Sequence, residues 1–522
     1  MSVLSGIRAR IRPYVTFLPM SWLRGTRRLQ RLVSQWDALA DGSHRQRIPG
    51  GFAVLITPWL ATAVPWFSIV AGLFLSRVEE RVLFVMDDMP FGVNSIRFRF
   101  ICMCIRRVLR VVALRHPVVY LSDYEAAPKS PGEVSLLVQR LAALNAVHAL
   151  RGETVPEGRA QYIGIISRQL QRSEAAINEL VRRETFRAVF IPGGIYGSSG
   201  LWADIAGRAG IRVASHDSGG YGVVMLAADG IASQLQDVPR AFALLKQSAE
   251  FAAEKSFILA TAEAEMARRR SGTDAFASQL QSAGGAAEVH RGGVLVALNS
   301  SWDQAALGLH VVFEDSAEWV FETVRWVLRS TQAPVIVRQH PAERLPAARS
   351  SDDYKVMLRE RFPNEPRLHF IAAEDPINTY ALLHVVPVVV AYTSTVGVEA
   401  AALGKVVVTP SRSYYSRLGF VWNALTREEY FQHLAAGLDG KCIVTPQMRE
   451  DAMCCYYLAQ ICNWVRTTFS PEAFDEWSQR PLGELRAEAG AQLAVDCLSA
   501  NYPAALLSHQ AKWRASRLAN AC

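Results

Sequence analysis

Residues 388–420 read VVVAYTSTVGVEAAALGKVVVTPSRSYYSRLGF, and their order decides the fold. Pro387 to Ala391 is an apolar run of strand length, which predicts a parallel strand buried on both faces. Thr393, Ser394 and Thr395 follow, three hydroxyl residues where a helix N-cap belongs. Val396 to Leu403 is small and apolar and stops at Gly404, a helix C-cap. Val406 to Thr409 is the next buried strand. Together these make a β-α-β unit. Its helix start aims backbone N–H groups and a positive dipole end beyond the sheet, which suits a phosphate. On this window alone, a Ser/Thr cap without a ligand reads the same way.

A second unit lies upstream. Pro334-Val-Ile-Val-Arg338 is a short apolar strand that ends in Gln339-His340-Pro341. Pro341 disfavours helix at His340 and sets that residue in an extended turn at the strand's carboxyl end. Open α/β sheets bind ligands at the carboxyl ends of their strands. His340 and the Ser394/Thr395 turn are therefore expected to converge on one crevice.

These residues carry a resemblance. His340-Pro341, Ser394-Thr395, the phrase from Thr395 through Glu399 and Gly404 to Val408, and Tyr415 followed by Gly419 resemble the bacterial capsule polysaccharide biosynthesis proteins. That group includes 3-deoxy-manno-octulosonic acid (Kdo) transferases; bacterial sialyltransferases of the same architecture are similar more distantly. The resemblance implies an α/β fold of two Rossmann-like domains facing a cleft (GT-B) and a CMP-activated acidic sugar as donor. It implies that His340, with Pro341, and the Ser394-Thr395 pair hold the nucleotide phosphate. It is specific over residues 292–425, weaker over 185–240 and absent at both ends.

The chain has 522 residues, half of them hydrophobic, enough for two or three domains with full cores. Its eight cysteines show neither metal nor disulfide spacing, which fits a reducing cytosol and argues against zinc. Residues 1–50 hold nine Arg and two Asp, so +7 of the formal +8 sits in this arm. Its arginines interleave with Ile7, Ile11, Tyr14, Phe17, Trp22, Leu23, Leu29 and Leu32. A basic amphipathic segment of this kind lies on an anionic membrane surface, so residues 1–40 are expected to bind one. No further basic stripe supports nucleic acid. Residues 51–76 are long enough to cross a bilayer, but Pro58 and Pro65 interrupt them. Ala53 to Ile56 and Val82 to Met86 read as strands around a buried helix. No secretory signal is evident. The expected location is cytoplasmic, peripheral on the inner membrane.

Five segments follow from the pattern: a basic amphipathic arm (1–50), an N-terminal Rossmann-like acceptor domain (51–240), a long helix and linker (241–291), a C-terminal Rossmann-like nucleotide-sugar domain (292–425) and a C-terminal helical region (426–522). Within the first domain, helices are expected at Ile96 to Leu114, Leu136 to Leu150, Ala160 to Arg183 and Leu201 to Ala209. Strands are expected at Val118 to Leu121, Ala188 to Ile191 and Ile211 to Ala214.

Ser215-His216-Asp217-Ser218-Gly219-Gly220 follows the last of these strands. The related families carry an acid before a glycine in a comparable place, where the acid is catalytic. Carried over, the candidate is Asp217, although this chain has Asp-Ser-Gly where the relatives have two acids. Glycosyl transfer needs a base for the acceptor hydroxyl or a carboxylate nucleophile, and a strand-end carboxylate beside glycines suits either. Gly193, Gly194, Gly197 and Gly200, with Ser198 and Ser199, resemble a phosphate cradle but match no strict fingerprint. Ser300, at the end of the second domain's first strand, is expected to face the donor. Glu399, one helical turn after Thr395, is placed for a ribose hydroxyl, and Tyr415 for stacking on base or sugar. No metal is expected, because helix ends and His340 neutralise a CMP leaving group; Asp87-Asp88 is the only acidic pair near a strand end. No cofactor is expected beyond the nucleotide sugar, and the acceptor is expected to be a lipid-linked glycan of capsule or lipopolysaccharide. The alternatives are a UDP-sugar glycosyltransferase or 2-epimerase, and a non-catalytic polysaccharide export or assembly protein.

Overall fold

A computed structural model describes residues 19–38, 48, 50–59, 62–92, 95–125, 134–154, 158–220, 222–271, 287–346 and 348–521. Thirteen strands are assigned among them. They are β1 (Phe52–Ile56), β2 (Val82–Met86), β3 (Val118–Tyr120), β4 (Ala188–Pro192), β5 (Arg212–Ser218), β6 (Val223–Ala227), β7 (Val294–Ala297), β8 (Val335–Arg338), β9 (Leu368–Ile371), β10 (Val388–Ala391), β11 (Val406–Thr409), β12 (Trp422–Asn423) and β13 (Trp464–Arg466). The chain divides into two compact units. One takes in residues 1–142, 162–237 and 462–522, and the other residues 143–161 and 238–461.

The first unit holds a seven-stranded sheet in the order β13-β6-β5-β4-β1-β2-β3. From β1 to β5 all pairings are parallel; β6 and β13 join antiparallel. Strands β1, β2 and β4 are buried along their whole length, as a parallel sheet covered on both faces requires. The second unit holds a six-stranded, all-parallel sheet in the order β12-β11-β10-β7-β8-β9. Renumbered within each unit, the second sheet runs 3-2-1-4-5-6, the doubly wound order of nucleotide-binding domains, and the first runs the same with β13 added at its edge. In each, the chain reverses direction across the sheet beside the first strand: between β1 and β4, and between β7 and β10. Both Rossmann-like sheets expected from the sequence are present.

Residues 51–76 are β1 followed by the helix Val64–Leu75, whose twelve side chains are all buried. A helix apolar all round is a core helix when it is this short: twelve residues rise about 18 Å, against about 30 Å of hydrocarbon. No helix of the described residues is long and apolar enough to cross a membrane.

Three expectations change. Residues 1–18 and 39–47 of the basic arm lie outside the described residues, but Pro19–Ser34 is a helix of the first unit. Trp22, Leu29, Leu32 and Val33 are buried in that unit's core, and Trp22 packs on Trp66 at 5.2 Å between ring centroids. Arg28 reaches Asp475 at 2.9 Å. The side of this helix that carries Trp22, Leu29, Leu32 and Val33 packs inside the protein. The C-terminal region is also divided. Arg427–Leu438 and Pro446–Tyr456 are helices of the second unit, whereas β13 returns to the first and pairs with β6, Trp464 opposite Met225. Within the region expected to be helical, Trp464–Arg466 instead complete the sheet edge. The long helix after residue 240 is two helices, Asp237–Gln247 and Phe251–Arg270, and residues 272–286 of the linker lie outside the described residues.

Candidate functional site

Strand register fixes which residues meet at the carboxyl end of the second unit's sheet. Ala297 of β7 pairs with Arg338 of β8 and with Ala391 of β10. Asn299, His340 and Thr393 are the second residues past these three strand ends, and Ser300, Pro341 and Ser394 the third. The row crosses three neighbouring strands, about 10 Å from end to end, at the point where the chain direction reverses. Ser300, His340 and the Ser394/Thr395 turn thus follow the carboxyl ends of β7, β8 and β10 in one sheet.

His340 has extended backbone and opens the 3-10 turn Pro341–Arg344. Its Nδ1 accepts the Ala342 backbone N–H at 3.2 Å, so the ring proton sits on Nε2. No partner for that N–H is found among the described residues. Burial, and then the charge of Arg338 two residues before it, push the imidazole down to about 4. At that value the imidazole is uncharged at neutral pH, and its Nε2–H is available as a hydrogen-bond donor. The nearby fixed charge is Arg338 itself. Its guanidinium is buried, pushed down to about 10 by that burial, and bonded to the Ala372 carbonyl, while its Nε has no partner among the described residues. Sequence reading passed over Arg338 because a strand arginine looks like an edge residue until the sheet is assembled.

The turn before the helix Val396–Ala402 is only loosely capped. Thr395 has helical backbone and makes no side-chain cap bond; the Ser394 hydroxyl lies 3.5 Å from the Val396 amide, at the limit of a hydrogen bond. The Thr395 hydroxyl instead accepts from Gln460 at 3.4 Å. Thr393 Oγ1 and Asn299 Oδ1, past the ends of neighbouring strands, are buried without a partner among the described residues. Buried polar atoms of this kind call for a water or a ligand. Because neither hydroxyl serves as a full cap, Ser394→Ala combined with Thr395→Ala should cost less than the roughly 1 kcal/mol of a lost N-cap. Denaturant unfolding would measure this; a loss of 2 kcal/mol or more would make the turn a structural cap.

Behind the row lies a brace. Glu343 accepts Gln339 at 2.7 Å and the Ser350 hydroxyl at 2.6 Å, and Ser350 Oγ in turn accepts the Ser301 amide at 2.9 Å. Ser301 Oγ donates to Asp352 at 2.6 Å. Such second-layer bonds hold the ends of β7 and β8 in fixed relation. A further trio missed in the sequence joins here: Glu153 meets His310 Nε2 at 2.9 Å, and His310 Nδ1 meets the Tyr392 hydroxyl.

Two candidates have other duties. Glu399 is buried; its Oε1 accepts the Tyr380 hydroxyl at 3.0 Å and pairs with Arg269 at 3.2 Å. This buried ion pair ties two helices together and does not present Glu399 to a ribose. Tyr415 is wholly buried, so it offers no stacking face; its hydroxyl donates to the Ser394 carbonyl at 2.9 Å. It thereby positions the turn from beneath, and only glycine fits above it, since a Cβ at Gly397 would fall 2.5 Å from that hydroxyl.

In the first unit, register places Thr57, Asp87, Gly193 and Asp217 level at the sheet's carboxyl end. Asp217 lies inside β5, not in a loop after it, because β5 runs on to Ser218 by pairing with β6. It is partly buried, and its Oδ1 accepts the Ser218 amide at 2.7 Å. Tyr221, in the turn beyond, lies outside the described residues. The neighbouring His216 is a core residue, buried between Phe67 and Phe190 and pushed down to about 3 by burial. Asp87, three strands and about 14 Å from Asp217, is buried, accepts the Ser198 hydroxyl and is pushed up to about 6, chiefly by burial. Asp88 is committed elsewhere: it pairs with Arg106 and accepts the Ser122 amide at 2.9 Å and hydroxyl at 2.7 Å. The glycine loop is what lets Ser198 reach Asp87. Gly194 has φ +103°, and a Cβ there would collide with Ile231 at 2.3 Å.

No protein-family model and no curated protein sequence matches the chain. Among solved structures it is similar to the KpsC β-Kdo 2,4-transferase of Thermosulfurimonas dismutans, at 14% identity over 51% of this chain and 79% of that one, with a TM-score of 0.34. It is also similar to a Listeria monocytogenes protein described as a UDP-N-acetylglucosamine 2-epimerase, at 12% identity over 88% and 97% of the two chains, TM-score 0.25. A third is the Methanocaldococcus jannaschii UDP-GlcNAc 2-epimerase in complex with UDP-GlcNAc and UDP, at 10% identity over 77% and 97%, TM-score 0.24. Each likeness is distant.

Proposed function

We propose that the protein is a glycosyltransferase that moves a nucleotide-activated acidic sugar, CMP-linked and Kdo-like, onto a lipid-linked capsule or lipopolysaccharide glycan. The observation that carries this reading is the row of Asn299, Ser300, His340, Thr393 and Ser394 at the reversal point of the second sheet. It offers hydroxyls, a neutral N–H donor, weakly capped helix amides and a buried guanidinium below. Donors without a carboxylate among them suit a phosphate. The donor set is therefore Ser300, His340, Ser394 and Thr395, with Pro341 fixing the His340 turn and Arg338 supplying charge. Glu399 and Tyr415 support it from behind.

Asp217 remains the proposed catalytic carboxylate. It would take the proton of the acceptor hydroxyl as that oxygen attacks the sugar's anomeric carbon, while CMP leaves with the bonding electrons. Asp87 is the competing carboxylate, since a value near 6 suits proton exchange at neutral pH. No cofactor or metal enters this scheme, and the enzyme would work at the cytoplasmic face of the membrane. The test is ligand-induced stabilisation by CMP against UDP and GDP. Preference for UDP would favour a UDP-sugar enzyme, and no response to any of them would favour a non-catalytic role.

A further inference from the structure

Helix Ser95–Val112 carries five arginines and no acidic residue. Its inner side is committed, with Ile101, Ile105, Val108, Leu109 and Val112 buried in the first unit's core. Its outer side is ordered in two rows. At 3.6 residues per turn, positions seven and eleven apart stand on one line. Ile96, Met103 and Leu114, the last in the turn just after the helix, form one line and are 80%, 39% and 75% exposed. Arg99, Arg106 and Arg110 form a second line beside it, all exposed. Arg106 pairs with Asp88, whereas no carboxylate among the described residues pairs with Arg99 or Arg110. Along the arginine line runs a groove of about 470 Å³, walled by Phe91, Phe98, Cys102 and Met103 with the three arginines and with Asp88, the partner of Arg106. The helix Pro19–Ser34, which packs beside this one through Gln30 and the Arg107 carbonyl at 3.2 Å, adds exposed Arg24, Arg27 and Arg31 and again no acid.

The geometry points to an anionic phospholipid surface as the occupant of this face. Exposed aliphatic side chains in a straight line about 27 Å long, edged by unpaired arginines, match a flat surface that is anionic at the head groups and apolar just below. An acidic glycan would satisfy the arginines but has no use for Ile96 and Leu114. Lying in the head-group plane, the helix sinks its aliphatic row among the chain tops, sets Arg99 and Arg110 on lipid phosphates, and offers the groove to one head group. The core of this surface, helix Ser95–Val112, lies outside residues 1–40, and the inference does not depend on the glycosyl-transfer reading.

The test is co-sedimentation of the full chain with phosphatidylglycerol–phosphatidylcholine vesicles and with pure phosphatidylcholine, at low and high salt. Wild type binds the anionic vesicles, and salt weakens the binding. R99Q with R110Q binds about 25-fold more weakly, roughly fivefold per arginine. I96S with L114S binds about tenfold more weakly. All four positions are exposed, and both variants should melt as wild type does. Removing residues 1–18 leaves the contribution of this face in place. Wild-type binding by both folded variants would overturn the proposal, as would equal binding to neutral vesicles. Complete displacement by a soluble acidic polysaccharide, with I96S/L114S unaffected, would reassign the face to a glycan.

Discussion

Asp217→Asn should lower the rate of sugar transfer by about 10²–10⁴-fold, the usual cost of losing a general base. Asn keeps the shape of the side chain and removes its charge. The backbone around it is held by the β5–β6 ladder, Asp217 opposite Met225, so the variant should fold normally. Affinity for CMP should stay within about twofold of wild type, because every residue proposed to hold the phosphate belongs to the second unit. Single-turnover transfer and calorimetric CMP binding, measured on one preparation, separate the two quantities. Asp87→Asn is the paired experiment. The carboxyl of Asp87 is buried and bonded to Ser198, and it shares a level with Asp217. A wild-type rate in Asp217→Asn with a large loss in Asp87→Asn would transfer the catalytic role to Asp87.

His340→Ala should weaken CMP binding by roughly 10- to 150-fold, corresponding to about 1.5–3 kcal/mol for a hydrogen bond to a charged group. His340→Gln, which retains an N–H donor, should recover part of the loss; a purely structural histidine would show no such rescue. Titration gives a second readout. The folded imidazole is pushed down to about 4 from an ordinary value of 6.5. Protons therefore bind the unfolded chain first, and this group's contribution to stability is present above about pH 6.5 and lost as pH falls through about 4. Wild type should lose more stability across that window than His340→Ala. Equal acid sensitivity, with unchanged CMP affinity, would remove His340 from the site.

Most of the fold was legible because buried parallel strands announce themselves. Val82 to Met86 and Val406 to Thr409 were bounded correctly from apolar runs alone, and the helix Leu136–Leu150 from its spacing. The candidate row was legible too, since Pro341 forces an extended His340 wherever the chain goes. What sequence could not show depended on long-range packing. Nothing local says that Trp464 to Arg466 completes a sheet begun some four hundred residues earlier, or that the amphipathic helix at Pro19 turns its apolar side inward. Side-chain roles were harder still. Glu399 lies one helical turn past Thr395 and Tyr415 in the loop after the next strand, yet Arg269 and Tyr380 claim the first and complete burial removes the second. The depressed imidazole of His340 follows from Arg338 and burial, neither of which a strand pattern reveals.

The central claim, a CMP-type phosphate held by Ser300, His340, Ser394 and Thr395, is tested most directly by thermal unfolding of the full chain with CMP, UDP or GDP. At a hundred times its dissociation constant a ligand adds about 2.7 kcal/mol. CMP should raise the melting temperature, UDP and GDP should do so less at equal concentration, and the gain from CMP should shrink in His340→Ala. A melting temperature that CMP leaves unchanged, or raises equally in wild type and His340→Ala, would contradict the account.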